Sequence, residues 1–254
     1  EIGELDLDLV QGQGEYKLHQ TFLLRLANRE FYKNFEIITV SKAVDNCVRN
    51  HFLTRKNKNI KLLENSILIS SYNRSAPIVE SQSNQFIYIS RINLQKGHDT
   101  LIRAWQKIQS PQKGKLLIVG PDETNQKFHK LADGDNSIEF TGAVTDVKKY
   151  LNQSTIGIFP SQKEGLPLSL LEMMAYNLPI IVSNIEELTS IIGHKQEGLV
   201  FELDNIDDLK SKIEFALKNK DKMIQYGKNA RLKVMKICME NEPIKFHDQF
   251  YRVI

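Results

Sequence analysis

Residues 155–183 read TIGIFPSQKEGLPLSLLEMMAYNLPIIVS, and this stretch decides the fold. Its two ends, 155–159 and 180–183, are short, apolar and rich in Ile and Val, which is typical of strands buried on both faces. Residues 168–176 between them have helical period. A strand, a helix and a second strand in this order predict a βαβ unit with parallel strands.

The same alternation extends over most of the chain from residue 86 onward. Further strands are predicted at 86–90, 115–119, 137–140 and 198–201, and further helices at 99–109, 125–132, 146–152 and 206–236. This pattern predicts an α/β fold with a doubly wound parallel sheet. Ligands of such sheets bind outside the carboxyl ends of the strands, so the loops that follow the strands are where a site is expected.

The first 75 residues follow a different pattern. They predict a helix at 18–32, a helix that begins with Ser41 as its N-cap, and short strands at 36–40 and 60–63. Because residues 70–85 are polar and contain a proline, we place a domain boundary there. The predicted parts are residues 1–75, the end of a first Rossmann-like domain; residues 76–240, a second one; and residues 241–254, a C-terminal helix.

Composition excludes several classes of protein. The chain has 254 residues, of which 41% are hydrophobic, and its 34 Lys and Arg against 31 Asp and Glu give a formal charge of +3. Such a chain can bury a sizeable core, which argues against disorder. Cys47 and Cys238 are the only cysteines, so we expect a reduced, cytoplasmic setting rather than a disulfide framework. The chain starts at Glu1 without a signal-type core, and we expect its true N-terminus to lie upstream.

Two segments are locally basic. Residues 15–61 contain ten Lys or Arg against four acidic residues, and residues 210–236 contain nine against two. Solvated helix faces are the simpler interpretation, and peripheral contact with anionic lipid is the alternative. No motif of a nucleic-acid-binding class is present, so nucleic acid is not an expected partner.

The loop and helix at residues 160–172 carry the clearest signs of a binding site. Pro167 suits the start of a helix, whose first free amides, at Leu168 and Ser169, form an anion site. Gly165 allows close approach of a ligand to the backbone. Glu164 in the loop and Glu172 in the helix provide two carboxylates that can flank one extended ligand. Carboxylates accept hydrogen bonds from sugar hydroxyls. On spacing alone, such a pair of carboxylates is common in proteins without a shared function.

A second cluster follows the strand at 86–90. Arg91 and Lys96 are both placed to project over the carboxyl edge of the sheet, where two cations would bind a diphosphate and stabilise it as a leaving group. Each alone would more often be a surface charge. Gly120 and Gly142 end neighbouring strands in the same way, as turn glycines often do.

These motifs, in this order and spacing, resemble the C-terminal domain of retaining GT-B glycosyltransferases, and more narrowly the "glycosyl transferases group 1" family. The similar pieces are Arg91 to Gly97, the turns at Gly120 and Gly142, and Glu164 to Glu172. Upstream, residues 37–41 and 60–65 are similar to the end of that family's first domain. The resemblance covers roughly residues 9–240 and implies a GT-B fold with two Rossmann-like domains, the first of them truncated in this sequence.

The resemblance also implies roles for matching residues. Glu164 would contact the donor sugar near the reacting centre, Glu172 the ribose, and Arg91 and Lys96 the departing diphosphate. Backbone amides in the loop and first helical turn would hold the sugar and diphosphate, and Val144 would lie near the base. The amides concerned belong to Gly165, Leu166, Leu168 and Ser169. Gly120, at the end of a neighbouring strand, would also bind the donor. The implied donor is a UDP- or GDP-linked sugar, and the implied acceptor a glycan or lipid-linked hydroxyl.

Two departures from the family pattern stand out. Gln11 occupies the place at which many members carry a His, which puts a His-dependent contact to the sugar in doubt. The family's first domain also begins well before Glu1, so most of the acceptor-binding surface is expected to lie outside this sequence. A chain of this extent is expected to bind donor but to lack turnover by itself.

Other patterns suggest a metal site and are better explained as structure. Asp133 and Asp135 flank a glycine between a helix and a strand, where a turn is expected. Asp6 and Asp8 lie in an alternating, strand-like stretch. No His pair has metal-ligand spacing. The resemblance implies a metal-independent transferase without a cofactor. A sugar-nucleotide epimerase of the same fold and a non-catalytic nucleotide-sugar-binding module remain as alternatives.

Overall fold

The computed structural model describes residues 37–39, 42–50, 59–62, 64–72, 84–110 and 113–240. Several predicted features lie outside these residues. They are the Asp6 and Asp8 pair, Gln11, the helix at 18–32, the Ser41 N-cap and the C-terminal helix at 241–254.

A small parallel sheet comes first among the described residues. It comprises β1 (Ile37–Thr39) and β2 (Ile60–Leu62), with helix α1 (Lys42–Asn50) between them in sequence. Asp45 of α1 is buried and accepts hydrogen bonds from the Thr39 hydroxyl at 2.7 Å and the Arg49 guanidinium at 2.5 Å. Arg49 holds the pKa of Asp45 below its usual value. This hydrogen-bonded group therefore ties α1 to β1.

The second sheet has six strands and contains most of the described core. They are β3 (Gln85–Ile89), β4 (Lys115–Val119), β5 (Ile138–Gly142), β6 (Ile156–Phe159), β7 (Ile180–Ser183) and β8 (Gly198–Phe201). Their order is β5-β4-β3-β6-β7-β8, and every neighbouring pair is parallel. From β3 the chain adds β4 and then β5 on one side of the sheet, and from β6 it adds β7 and then β8 on the other side. This reversal confirms the doubly wound prediction and opens a crevice at the carboxyl ends of β3 and β6.

Helices connect and cover these strands. They are α2 (His98–Gln106), α3 (Lys127–Leu131), α4 (Lys148–Gln153), α5 (Leu168–Ala175), α6 (Glu186–Thr189), α7 (Ile206–Lys218) and α8 (Lys220–Glu240). Strands β6 and β7 are buried along their whole length, as their apolar sequences predict. Fully buried aromatic side chains fill the space beside β3, where Phe86 meets Trp105 edge-on with ring centroids 5.2 Å apart.

The predicted helical stretch at 206–236 consists of two helices. The structure divides it at Asn219, whose backbone leaves helical geometry and whose side-chain amide donates to the Phe215 carbonyl at 2.8 Å. An Asn side chain satisfies a carbonyl at a helix end in this way, which allows α7 to stop and α8 to start. No pattern in the sequence predicted α6 or the 3-10 turn at Leu94–Lys96.

Residues 64–72, here called the connecting segment, pack against the unit built on the six-stranded sheet, here called the larger unit. The Ile67 side chain is part of its hydrophobic core. The Asn65 amide donates to the Leu166 carbonyl at 2.7 Å. A 3-10 turn at Ile69–Ser71 then leads to Tyr72. The predicted domain boundary at 70–85 stays a prediction, but the chain already contacts the larger unit before it.

Candidate functional site

Two glycines let the loops at the crevice approach each other. Gly97 has φ 68°, and a Cβ built there would lie 1.9 Å from the Pro160 carbonyl oxygen. Gly120 has φ 145°, and its Cβ would lie 2.0 Å from the Ser90 carbonyl oxygen. Neither position admits a side chain in this arrangement. The loops after β3, β4 and β6 are therefore packed together directly through their backbones.

Lys96 and Glu164 form an ion pair across the crevice. Lys96 Nζ lies 2.7 Å from Glu164 Oε1, and only 20% of the lysine side chain and 7% of the glutamate side chain are exposed. The two residues are 68 positions apart and come from the loops after β3 and β6. Partial burial makes this pair stronger than a surface pair, and each charge depends on the other. Two of the predicted catalytic residues are thus in direct contact.

A buried hydrogen-bond network lies beneath this pair. The Tyr88 hydroxyl donates to the Lys96 carbonyl at 2.9 Å and lies 2.8 Å from the Ser161 hydroxyl. The Ser183 hydroxyl donates to the Ser161 carbonyl at 2.6 Å. Burial strongly raises the pKa of Tyr88, so its hydroxyl stays protonated and able to donate. The network fixes the backbone on both sides of the crevice.

His98 supports the loop after β3 from below. Its imidazole is fully buried beside the rings of Tyr88 and Phe128, and its Nδ1 lies 3.4 Å from the Asn93 carbonyl. Burial lowers its pKa from the usual 6.5 to about 4, because the interior solvates an imidazolium poorly. His98 is accordingly neutral near pH 7 and acts as a packing and hydrogen-bonding residue.

Arg91 is not part of the Lys96 and Glu164 contact. Its guanidinium lies 3.4 Å from Glu123 Oε1, and Asn93 donates to the other oxygen of the same carboxylate at 3.3 Å. The arginine side chain is 62% exposed and the glutamate side chain 43%. Such an exposed and long pair is weak. The structure therefore leaves Arg91 at the rim, turned toward the loop after β4.

Helix α5 points its amino end at the same edge of the sheet. Pro167 is its N-cap and makes no side-chain capping hydrogen bond. The amides of Leu168 and Ser169 come before the first amide bonded within the helix, which is that of Leu170. The Ser169 hydroxyl donates to the Ile89 carbonyl at 3.0 Å and so ties the helix to the end of β3. This is the geometry of an anion-binding helix terminus.

Three further predicted site residues are Leu166, Val144 and Gly165. Leu166 is buried in the core, and its carbonyl accepts from the connecting segment. Val144 is half-buried against the core edge, in the loop after β5. Gly165 is half-buried and follows Glu164 directly. For these residues the predicted contacts concern backbone amides and a bound donor, and they remain predictions.

Glu172 lies more than one turn into α5 and is half-buried. Its Oε1 accepts a hydrogen bond from the Tyr72 hydroxyl at 2.7 Å. Burial raises the pKa of Glu172, while the Tyr72 hydrogen bond and the nearby Lys148 charge oppose the rise. Sequence analysis missed Tyr72, because it lies at the edge of a polar stretch that predicts only a linker. No pattern linked it to a residue 100 positions away.

The Asp133 and Asp135 pattern is a turn, as predicted. Asp135 accepts from the Ser137 amide at 3.0 Å and pairs with Lys113 at 3.0 Å. In the described part of the chain, no three His, Cys, Asp or Glu side chains are grouped to hold a metal ion. Among the described helices, none is both long and apolar enough to cross a membrane.

Comparison with known proteins identifies relatives of this chain. The family model "Glycosyl transferases group 1" matches residues 72–233. An uncharacterized glycosyltransferase of Haemophilus influenzae is 28% identical over 202 residues, which are 78% of this chain and 56% of that protein. The Campylobacter jejuni N,N'-diacetylbacillosaminyl-diphospho-undecaprenol alpha-1,3-N-acetylgalactosaminyltransferase is 25% identical over 243 residues, 87% of this chain and 64% of that enzyme. The chain thus spans little more than half of these relatives.

A solved structure shows the same fold. The Anabaena protein HepE, crystallised with UDP and glucose, superposes with a TM-score of 0.74 at 17% identity. The match covers 89% of this chain and 66% of HepE. At this identity the likeness concerns the fold alone, and it confirms the predicted GT-B architecture.

Proposed function

This chain belongs to the glycosyl transferases group 1 family, and from that membership we propose that it is the donor-binding part of a retaining glycosyltransferase. The donor would be a nucleotide diphosphate sugar, UDP- or GDP-linked, and the acceptor a hydroxyl of a glycan or lipid-linked saccharide. The observation that carries the proposal is the Lys96 and Glu164 pair, which lies in the crevice beside the amino end of α5.

The proposed reaction breaks the bond between the anomeric carbon and the diphosphate oxygen, and forms one to the acceptor oxygen on the same face. Glu164 and neighbouring carbonyls would stabilise positive charge that develops on the sugar ring. Lys96 and the amides at Leu168 and Ser169 would stabilise the negative charge of the departing diphosphate, which then takes up the acceptor proton. Arg91 would turn from Glu123 to join them. These groups supply the stabilisation that a metal ion gives elsewhere, so we propose metal-independent transfer.

The acceptor and setting are proposed from the relatives. The Campylobacter enzyme is named for a sugar carried on diphospho-undecaprenol. We propose a similar biosynthetic role in polysaccharide or lipid-linked glycan assembly, at the cytoplasmic face of a membrane. The basic segment at 210–236 gives this contact only weak support, because Lys210 and Lys212 pair with acids of α7 and Lys233 pairs with Glu197. Cosedimentation with anionic vesicles tests the contact.

Calorimetric titration with UDP, GDP and ADP, with and without EDTA, tests the donor site. We expect saturable binding of one nucleotide that EDTA does not change. Lys96→Ala and Arg91→Ala should each weaken it, the first by about tenfold or more, because a charge-assisted contact to the diphosphate is lost. Lys107→Ala is the matched control, since Lys107 pairs with Asp207 on the exposed surface and should bind nucleotide normally. Unchanged binding by Lys96→Ala would show that the diphosphate assignment is wrong.

A further inference from the structure

Tyr72 joins the connecting segment to Glu172. Its backbone amide closes the 3-10 turn by donating to the Ile69 carbonyl at 2.9 Å, and its hydroxyl reaches Glu172 Oε1 at 2.7 Å. The same connecting segment is held by the contacts of Asn65 and Ile67 to the larger unit. Tyr72 is therefore the last described residue of a segment that is already docked, and its hydroxyl is presented to Glu172 by a fixed backbone.

The ring of Tyr72 is held on several sides. Tyr176 meets it edge-on with centroids 6.1 Å apart, and Lys148 Nζ lies 5.4 Å from its centroid. Arg231 of α8 donates to the Tyr72 carbonyl at 3.1 Å and also to the carbonyl of Ala175. Since Ala175 ends the helix that carries Glu172, one guanidinium links the backbone of Tyr72 to the end of that helix. A hydroxyl held in this way orients its acceptor.

We propose that Tyr72 is a positioning residue, which fixes the Glu172 carboxylate so that it accepts hydrogen bonds from the ribose hydroxyls of a nucleoside diphosphate. This inference rests on the proposed function and extends it to a residue outside the helix and loops that hold the donor. A carboxylate has about four acceptor positions, so the bond from Tyr72 to Oε1 leaves capacity for both ribose hydroxyls. It also favours the ionised form, which is the form that accepts.

The arrangement has a second consequence for ligand choice. A nucleotide that lacks the ribose hydroxyls gains nothing from an oriented Glu172. It would bind by its base and diphosphate alone, through groups that Tyr72 does not contact. Tyr72 should therefore contribute to affinity only when ribose hydroxyls are present, and this dependence separates positioning from a general structural role.

The experiment is calorimetric titration of the chain and its Tyr72→Phe variant. The ligands are the nucleoside diphosphate that binds best among UDP, GDP and ADP, its 2′,3′-dideoxy counterpart, and inorganic pyrophosphate. We expect Tyr72→Phe to bind the ribonucleotide about five- to tenfold more weakly, while the affinities for the dideoxy nucleotide and pyrophosphate stay within about twofold. In a Glu172→Gln background, Tyr72→Phe should cause no further loss. Tyr88→Phe deletes a hydroxyl beneath Lys96. It should change the affinities for the ribonucleotide and for its dideoxy counterpart by the same factor.

Each other outcome has a definite meaning. Equal weakening of both nucleotides by Tyr72→Phe, or no weakening at all, would overturn the positioning role. If the unaltered chain binds the ribonucleotide and its dideoxy counterpart equally, the ribose assignment of Glu172 fails while the proposed function stands. If the chain binds none of the three nucleoside diphosphates, both the proposed function and this inference are overturned. Retained pyrophosphate binding shows that the variant is folded.

Discussion

The two ends of the candidate site treat their carboxylates in opposite ways. At one end Glu164 is nearly buried and faces the ammonium of Lys96, so its charge is cancelled within the protein. At the other end Glu172 is half-buried and faces the neutral hydroxyl of Tyr72. We call these the ion-pair end and the ribose end. The difference indicates that a diphosphate must compete with Glu164 for Lys96, whereas ribose hydroxyls meet a carboxylate whose Oε1 faces a neutral hydroxyl.

Replacement of Glu164 should separate the two ends most strongly. In protein that includes the acceptor-binding part, we expect Glu164→Gln to lower turnover of a nucleotide sugar about a thousandfold, because the developing charge on the sugar loses its stabilising carboxylate. The same variant should bind free nucleoside diphosphate more tightly, since Lys96 is released from its partner. Glu172→Gln should instead bind more weakly. Nucleotide release assays and calorimetry measure both effects, and weaker binding by Glu164→Gln would show that Glu164 does not compete with the diphosphate for Lys96.

The backbone beneath the ion-pair end should be the next most sensitive feature. Gly97→Ala places a Cβ against the Pro160 carbonyl at a positive φ, and we expect the free energy of unfolding to fall by about 4 kcal/mol. Gly134→Ala is the matched control, because Gly134 also has a positive φ, 82°, but no atom lies within 4 Å of its built Cβ. It should cost about 1 kcal/mol. Denaturant unfolding measures both, and equal losses would mean that the close approach contributes nothing.

Acid should lower the free energy of unfolding, because buried His98, which supports the loop after β3, resists protonation in the folded state. Its folded pKa of about 4 lies below the usual 6.5, so its contribution is fully present above pH 6.5 and is lost as the pH falls toward 4. Over the whole range the loss amounts to about 3 kcal/mol, of which about 2 kcal/mol falls between pH 7 and pH 5. Burial raises the pKa of Glu172, so its contribution has the opposite sign and is lost as the pH rises through the folded value. Unfolding of His98→Phe and His98→Gln at pH 7 and pH 5 tests this. In both variants the free energy of unfolding should fall less between pH 7 and pH 5 than it does in the unaltered chain.

Replacement of Glu123, at the rim of the ion-pair end, should have the smallest effect on nucleotide affinity. Glu123→Gln removes the partner of Arg91, but the pair is long and well exposed. We expect nucleotide affinity to rise by no more than about threefold, and the rise to disappear in high salt, because exposed ion pairs are weak and screened. Titrations at low and high salt measure this. A tenfold change would show that Glu123 holds Arg91 away from the site more firmly than the geometry indicates.

Sequence alone predicted the sheet well because five of its six strands are largely buried. Apolar runs such as 115–119 and 180–183 then have only one sensible interpretation, and the observed strands have the same bounds. It also placed Lys96 and Glu164 at one edge of the sheet. It did not predict their direct pairing, which depends on how closely Gly97 packs against Pro160.

Two features of the site could not be predicted, and both depend on side-chain directions. Arg91 was expected to act beside Lys96, but the turn after β4 brings Glu123 within its reach. Tyr72 and Glu172 are 100 residues apart, and neither has a local pattern that names the other. Spacing in sequence indicates which edge of a sheet a residue occupies. The partner of its side chain follows only from the packed loops.

The reversal between β3 and β6 also has a consequence for how the chain folds. Strand β3 pairs with β4 about 30 residues ahead, as Gln85 with Lys115, and β6 pairs with β7 at a similar separation. The pairing of β3 with β6 joins Phe86 to Ile156, 70 residues apart. Because longer loops close more slowly, two half-sheets should form first and dock afterwards. The crevice lies on this seam, so the candidate site is expected to be the last part of the sheet to assemble.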